Sequence, residues 1–353
     1  MSKDIFHPLI FIFALLFYLF LATLGCFMGI KGLKLPSVYV YIYFLFAMAF
    51  YLLGFYPVKF VRDGCKCKLQ INKNLLKYFI YTAFVLQIFN FYYLGGIPLF
   101  SGHLKSKAVN LFWFFSYLLF LPSINILFAK FYNKKYFIFL ILGVVLFSLT
   151  GYRTPVVVII LSVLMTLYYT KKIPVEYSLV GILIIFFIIS ILGYVVVKFI
   201  EWQHWTLNPI QLLLYRAGYT LLVVEKATKL QGITHGLLFY YTLVGFFTSV
   251  DPRAIVGLKV LGYHHSTTST IIGPPLLDFG IGGMLIQMFL LGFILKFLHN
   301  LQLKEKGLIT AFYSIMMSHA LTWIETGPTD LVVWILYFFG IVFALKCLKR
   351  CKK

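Results

Sequence analysis

The chain has 353 residues, of which 61% are apolar and only 12% are charged. Soluble proteins usually carry about 25% charged residues, so this composition excludes a cytosolic enzyme, a secreted disulfide scaffold and a disordered tail. The 31 Lys and Arg residues against 10 Asp and Glu residues would suit a nucleic-acid-binding protein. However, the basic residues form short runs between apolar stretches of bilayer-spanning length. That pattern indicates an integral membrane protein with membrane lipid, and no nucleic acid, as its partner.

Apolar stretches of roughly 20 residues predict an all-α, polytopic membrane protein with about ten transmembrane helices. The first stretch is too long for the apolar core of a signal peptide and ends in no small-residue cleavage site, so we expect a retained span. The fifth and sixth stretches are short and meet at a tight turn, which predicts a hairpin. The predicted spans are 8–30, 37–58, 77–94, 110–129, 136–150, 155–170, 177–198, 273–295, 308–324 and 331–346.

The distribution of Lys and Arg predicts the orientation of these spans. With both termini cytoplasmic, 20 of the 31 basic residues fall in inner segments, and only five fall in the short outer loops. This asymmetry follows the positive-inside rule and predicts that both termini are cytoplasmic. The chain is then a single integral membrane domain, 1–353, with a long extracytoplasmic segment at 199–272.

The long outer segment contains two predicted helices. Asn208 and Pro209 have the character of an N-cap and a first helical residue, so a helix should run from there to about Leu230. A second apolar patch covers 237–250. These helices either lie on the membrane or form a further pair of spans, which would raise the number of spans to twelve.

Three arginines on the predicted outer face are candidate ligands. A charge beside or within apolar sequence is costly in a membrane and is therefore a candidate for function. Arginine makes fork-shaped contacts to phosphate, so we expect Arg153, Arg216 and Arg253 to bind a substrate diphosphate. The alternatives are a lipid-headgroup anchor for Arg153 and a structural ion pair with Glu201 or Glu225 for Arg216.

Other polar groups on the same face suggest acid–base chemistry without a metal. His264 and His265 are candidate catalytic bases, although each could equally be a polar loop residue. The helix that begins at Gly273 could add an anion site, while Asp278 could simply favour the positive end of its own helix. The first outer loop, 31–36, has no acidic residue, so we expect neither a divalent metal nor another cofactor.

Three stretches resemble O-antigen polymerases, which are also called oligosaccharide repeat-unit polymerases. They are GGIPLFSG at 95–102, GYRTP at 151–155 and HHSTTSTIIGPPLLDFGIGG at 264–283. The resemblance implies a metal-independent, GT-C-like membrane glycosyltransferase related in fold to O-antigen ligases. Family members join oligosaccharide units carried on polyprenyl diphosphate at the outer membrane face.

The resemblance also implies roles for individual residues. Outer-loop arginines hold the diphosphate in this family, and Arg153 and Arg216 occupy the matching positions. The ligases carry a catalytic outer histidine, to which His264 or His265 could correspond. Flippase and chain-length regulator proteins are candidate partners. A transporter or flippase without chemistry, and a ligase-like transferase, are the alternative functions.

The predicted orientation can be tested by cysteine labelling in a cysteine-free background. Single cysteines at Gln70 and Gln231 should react with a membrane-impermeant thiol reagent from opposite sides of sealed vesicles, because the basic residues place 59–77 inside and 198–271 outside. Both should react after permeabilisation. Labelling of both positions from the same side of sealed vesicles would refute the orientation.

Overall fold

The computed structural model describes residues 4–60, 71–198 and 207–351, and within these ranges the chain is helical with no β-strand. The predicted all-α class is therefore confirmed. The α-helices in the described ranges are α1 (Ile10–Phe27), α2 (Val38–Leu53), α3 (Lys73–Leu94), α4 (Gly102–Lys107), α5 (Leu111–Phe131), α6 (Phe137–Ser148), α7 (Arg153–Tyr169), α8 (Val175–Lys198), α9 (Pro209–Lys229), α10 (Leu237–Thr248), α11 (Pro252–Val256), α12 (Gly273–Gln302), α13 (Leu308–Thr326) and α14 (Leu331–Cys351).

Each of the ten predicted spans coincides with a helix, but the helices differ in length and apolarity. Within the part of the chain that the structure describes, six are long and apolar enough to cross a membrane, namely those that contain α1, α2, α3, α5, α12 and α14. The chain is therefore a multi-pass membrane protein, while the number ten stays a prediction. The hairpin of α6 and α7 is present, and Gly151 takes the left-handed conformation in its turn with φ of 76°.

The chain divides into two compact units, each built from three separate stretches and described here by itself. Unit 1 comprises Met1–Val61, Ile210–Phe297 and His319–Ile335. Unit 2 comprises Arg62–Pro209, Leu298–Ser318 and Leu336–Lys353.

Neutral polar side chains join the buried helices of unit 2. The Asn125 amide on α5 donates to Ser162 Oγ on α7 at 3.0 Å, and Thr166 Oγ1 donates to Asn125 Oδ1 at 2.9 Å. Asn110 caps α5 and also donates to Asn90 Oδ1 on α3 at 2.6 Å. Each amide thus hydrogen-bonds a neutral side chain of a neighbouring helix. These bonds lower the cost of burying polar groups away from water.

In unit 1, α9 lies across the halves of α1 and α2 that adjoin the loop between them. Gly218 packs against Ala22 and Cys26 on α1, where an added Cβ would lie 3.1 Å from Cys26 Sγ. Further along α9, Glu225 Oε1 accepts a hydrogen bond from Ser37 N at the start of α2 at 2.9 Å. The predicted start of this helix at Pro209 is confirmed.

Asp278 on α12 links this helix to α10 by hydrogen bonds. Its Oδ1 accepts hydrogen bonds from Leu238 N at 2.9 Å and from Thr234 Oγ1 at 2.6 Å, and its Oδ2 accepts one from Phe239 N at 2.6 Å. The carboxylate therefore accepts hydrogen bonds from N–H groups at the start of α10 that have no carbonyl partner within the helix. The expectation that Asp278 serves only its own helix was wrong, because sequence position cannot show which helix end packs beside it.

A break interrupts α12 at Gly280, where φ is 66° and ψ is −160°. This conformation is essentially restricted to glycine, because a Cβ would clash with the backbone. Gly282, two residues later, has an ordinary helical conformation and open space beside it.

These two glycines form a matched pair for a stability test. Gly280→Ala should destabilise the protein by about 1–3 kcal/mol, because alanine is strained in this backbone conformation. Gly282→Ala should leave stability unchanged or slightly raise it, since alanine favours a helix. Thermal unfolding in detergent micelles measures both changes, and equal melting temperatures for the two variants would contradict the break.

Candidate functional site

The first ion pair of unit 1 joins α9 to the end of α13. Arg216 Nε donates a hydrogen bond to Glu325 Oε1, although the two residues lie 109 positions apart in the sequence. The expectation of Glu225 as the structural partner was wrong, because Glu225 accepts from the backbone of α2 instead. Glu201 lies outside the described residues.

Arg216 remains accessible although it is paired. Its side chain is 46% exposed, and only its Nε takes part in the bond to Glu325. Its terminal amino groups make no hydrogen bond to any residue that the structure describes. A guanidinium has five N–H donors, so Glu325 can orient Arg216 while the outer edge of the fork stays open to a ligand.

The second ion pair lies beside the short turn that connects α13 to α14. Arg253 on α11 contacts Asp330, and its Nε also lies 3.8 Å from Asp251 Oδ1. Burial raises the pKa of the Asp330 carboxyl above its usual value, and the positive charge of Arg253 opposes this shift. The arginine thus stabilises the ionised form of a carboxylate that its surroundings would otherwise neutralise.

The two pairs belong to one charged group at the α13–α14 turn. Glu325 raises the pKa of Arg216, and the charge of Arg253 acts on the same pKa in the opposite direction. Arg216 and Arg253 are thus close enough to interact electrostatically, and each has a carboxylate partner. The group holds two cations and three carboxylates, since Asp251 also lies beside Arg253, so an anionic ligand must compete with the carboxylates or bind the donors they leave open.

Arg153 belongs to unit 2 and is described separately. It is the first residue of α7, and its guanidinium packs against α8, where a Cβ added to Gly193 would lie 2.6 Å from Arg153 Nη1. Arg153 therefore stays close to helix backbone. Its role as a ligand or an anchor remains a prediction.

His264 and His265 lie in an exposed segment after α11, in unit 1. The His265 backbone is fixed beside that helix, since a Cβ on Gly257 would overlap the His265 carbonyl oxygen. Neither imidazole hydrogen-bonds another side chain within the described part of the chain. A catalytic base is usually oriented by such a partner, and the catalytic role of the two histidines stays a prediction.

The start of α12 differs from the anion site that the sequence suggested. Gly273 N and Leu276 N both donate to backbone carbonyls, and Pro274 and Pro275 have no N–H. This helix end therefore offers a ligand no backbone donor over its first turn. The Ser/Thr run before it is also partly buried, with Ser269 only 1% exposed.

The sequence analysis missed a group of tyrosines beside Arg216. Tyr215 and Tyr219 lie one turn apart on α9, with ring centroids 6.0 Å apart. The Tyr219 and Tyr263 hydroxyl oxygens are 2.9 Å apart. The four-residue spacing of Tyr215 and Tyr219 was a visible signal, because it places both side chains on one helix face. Nothing in the sequence pointed to Tyr263.

Comparisons with known proteins identify a family. The family described as "Putative O-antigen polymerase" matches residues 4–337. Uncharacterized protein MJ0419 of Methanocaldococcus jannaschii is 26% identical over 313 residues, which cover 86% of each chain. Uncharacterized protein MJ0420 of the same organism is 28% identical over 256 residues, covering 72% of this chain and 61% of the relative. No solved structure matches the chain.

The two ion pairs should differ in strength. The Arg253–Asp330 side chains are 25% and 31% exposed, whereas those of Arg216 and Glu325 are 46% and 32% exposed. Double-mutant cycles with Arg→Gln, Asp→Asn and Glu→Gln should therefore give the larger coupling energy for Arg253–Asp330. The more exposed pair should couple by about 0.2–1 kcal/mol, the usual range for pairs in contact with solvent.

Chemical unfolding in detergent micelles measures these coupling energies. Raising the salt concentration should weaken the Arg216–Glu325 coupling more, because salt screens exposed charges more than buried ones. A larger coupling for Arg216–Glu325 than for Arg253–Asp330 would contradict the burial difference.

Proposed function

Because the chain belongs to the O-antigen polymerase family, we propose that it links oligosaccharide repeat units, carried on polyprenyl diphosphate, into a surface polysaccharide. The reaction takes place at the outer face of the cell membrane, with both termini in the cytoplasm. The protein is then a metal-independent glycosyltransferase with about ten spans and a GT-C-like fold.

The geometry of Arg216 is the observation that carries this proposal. Glu325 accepts a hydrogen bond from Nε of the guanidinium, and the terminal amino groups belong to a half-exposed side chain. Two parallel N–H groups match two oxygens of a phosphate. Orientation by Glu325 before the substrate arrives reduces the entropy lost on binding.

The proposed reaction transfers the glycan from one lipid carrier to a sugar of another unit. The bond between the anomeric carbon and the diphosphate oxygen breaks, and its electron pair stays on that oxygen. An acceptor hydroxyl forms the new bond to the anomeric carbon and gives up its proton to a base. Arg216 stabilises the charge that develops on the departing diphosphate, which is electrostatic transition-state stabilisation.

The base and the remaining diphosphate ligands are proposed from the sequence. His264 and His265 are candidates for the base, and the Glu325 carboxylate is an alternative because it lies beside Arg216. Arg253 lies in the same charged group as Arg216 and would contribute positive charge. Arg153 is proposed separately as a ligand within unit 2.

A deletion strain separates the candidate functions. Loss of long glycan chains with single units retained indicates a polymerase, whereas accumulation of undecorated acceptor indicates a ligase-like transferase. If the protein is a flippase, its deletion should leave lipid-linked units on the inner face of the membrane, where an added external glycosidase cannot reach them. Unchanged glycan chains would refute the proposal.

Arginine-to-lysine variants in the deletion strain test the diphosphate contacts. Arg216→Lys should reduce polymer formation by about 10²–10³-fold, because lysine keeps the charge but cannot make the fork. Arg153→Lys should cause a similar loss if it too contacts the diphosphate. Arg253→Lys should be milder, since Asp330 and Asp251 already engage its guanidinium. Membrane abundance of each variant serves as the control.

Parent-level polymer formation by both Arg216→Lys and Arg153→Lys would show that these arginines are anchors or structural partners. The proposed diphosphate role would then be wrong for both residues. The family membership would be unaffected.

A further inference from the structure

The tyrosines beside Arg216 form a continuous row. Tyr215 and Tyr219 lie one turn apart on α9, with centroids 6.0 Å apart and planes inclined by 27°. The Tyr263 ring continues the row through the hydroxyl contact of 2.9 Å with Tyr219. We call Tyr215, Tyr219 and Tyr263 the tyrosine row.

The row combines open ring surface with fixed hydroxyl groups. Tyr263 is 50% exposed, and both Tyr215 and Tyr219 are partly buried rather than enclosed. The hydroxyl contact joins Tyr219 to Tyr263, so these two rings are held in place before any ligand arrives. A rigid aromatic surface gives contact area at little cost in conformational entropy.

Polar groups stand at both ends of the row. Lys31 Nζ lies 5.9 Å from the centroid of the Tyr215 ring, and the exposed His265 ring lies 6.4 Å from the Tyr263 ring. An apolar surface with a few fixed polar groups around it is typical of a small-molecule site.

The position of the row relates it to the proposed diphosphate contact. Arg216 follows Tyr215 directly and precedes Tyr219 by three residues, so the three residues lie within about one turn of α9. Their Cα atoms span about 6 Å along the helix axis at 1.5 Å per residue. A sugar ring attached to a diphosphate on Arg216 would therefore lie within reach of the row.

The chemistry of a pyranose ring suits such a surface. One face of the ring presents C–H groups, which pack on an aromatic face, while its edge presents hydroxyl groups that hydrogen-bond to phenols. Tyrosine supplies an apolar body and a polar handle in one side chain. A lipid tail would use the ring faces only and would make no use of the hydroxyl contact.

We propose that the tyrosine row is a glycan subsite that takes a pyranose ring of the lipid-linked oligosaccharide next to Arg216. This inference rests on the proposed function, because it assigns part of the same substrate. The row positions the sugar and takes no part in bond making. Substitution in the row should therefore raise KM more than it lowers kcat.

The test measures initial rates of polymer formation against substrate concentration. The protein is reconstituted in vesicles with lipid-linked repeat units extracted from the deletion strain. Tyr215→Leu and Tyr219→Leu should raise KM by about five- to ten-fold with kcat within two-fold, because leucine keeps the bulk but has no ring face. Tyr215→Phe should raise KM less than Tyr215→Leu does, since it keeps the ring face and loses only the phenol hydroxyl.

Tyr39→Leu is the matched control. Tyr39 is 72% exposed on α2 in the same unit but lies outside the row. Tyrosines at a lipid interface serve as anchors, so a purely interfacial role would make Tyr39→Leu and Tyr215→Leu behave alike. Membrane abundance and melting temperature are measured for every variant, and Tyr215→Phe shows how much of the change in KM comes from the hydroxyl group alone.

The outcomes distinguish the subsite from the function. Parent KM values in both leucine variants, or an equal change in Tyr39→Leu, would overturn the subsite while leaving polymerisation intact. Equal loss of kcat and abundance in the leucine variants would also overturn it, because that indicates structural packing. Absence of polymer from the parent protein, together with unchanged glycan chains in the deletion strain, would overturn the proposed function itself.

Discussion

Pairing of the few negative charges is the constraint on which unit 1 depends. A carboxylate or guanidinium near lipid is costly unless a partner compensates it. Every acidic residue of unit 1 accepts a hydrogen bond from a backbone N–H or an arginine, and most of these bonds join separate elements. These residues are Asp4, Glu225, Asp251, Asp278, Glu325 and Asp330. The long segment that contains α9, α10 and α11 is therefore held to the apolar helices at defined points.

In unit 2, buried polar groups are compensated mainly by neutral hydrogen-bonding partners. No acidic residue occurs between Asp63 and Glu176, a stretch that includes α3, α5, α6 and α7. Its buried helices are linked by amides and hydroxyls instead, as in the Asn125 network. Neutral hydrogen bonds cost less to bury than ion pairs. The two arginine–carboxylate pairs described above lie in unit 1, as does the proposed diphosphate contact of Arg216.

The sequence predicted the helices well because apolar length is a local property. The hairpin turn at Gly151 and the start of α9 at Pro209 were likewise readable from neighbouring residues. The partners of the charged groups were not, since Arg216 finds Glu325 across 109 positions and Asp278 serves α10 instead of its own helix. Periodicity identifies a helix face but cannot identify what packs on it. The row through Tyr263 was missed for the same reason.

The break at Gly280 divides α12 into parts that differ in their attachments. Before the break, Leu276 and Leu277 carbonyls accept from Gly232 N and Thr234 N, and Asp278 accepts from the start of α10. After it, the chain continues as an uninterrupted helix to Gln302. The first turns of α12 are therefore attached to the start of α10, so their amide protons should exchange with solvent together with those of that helix end.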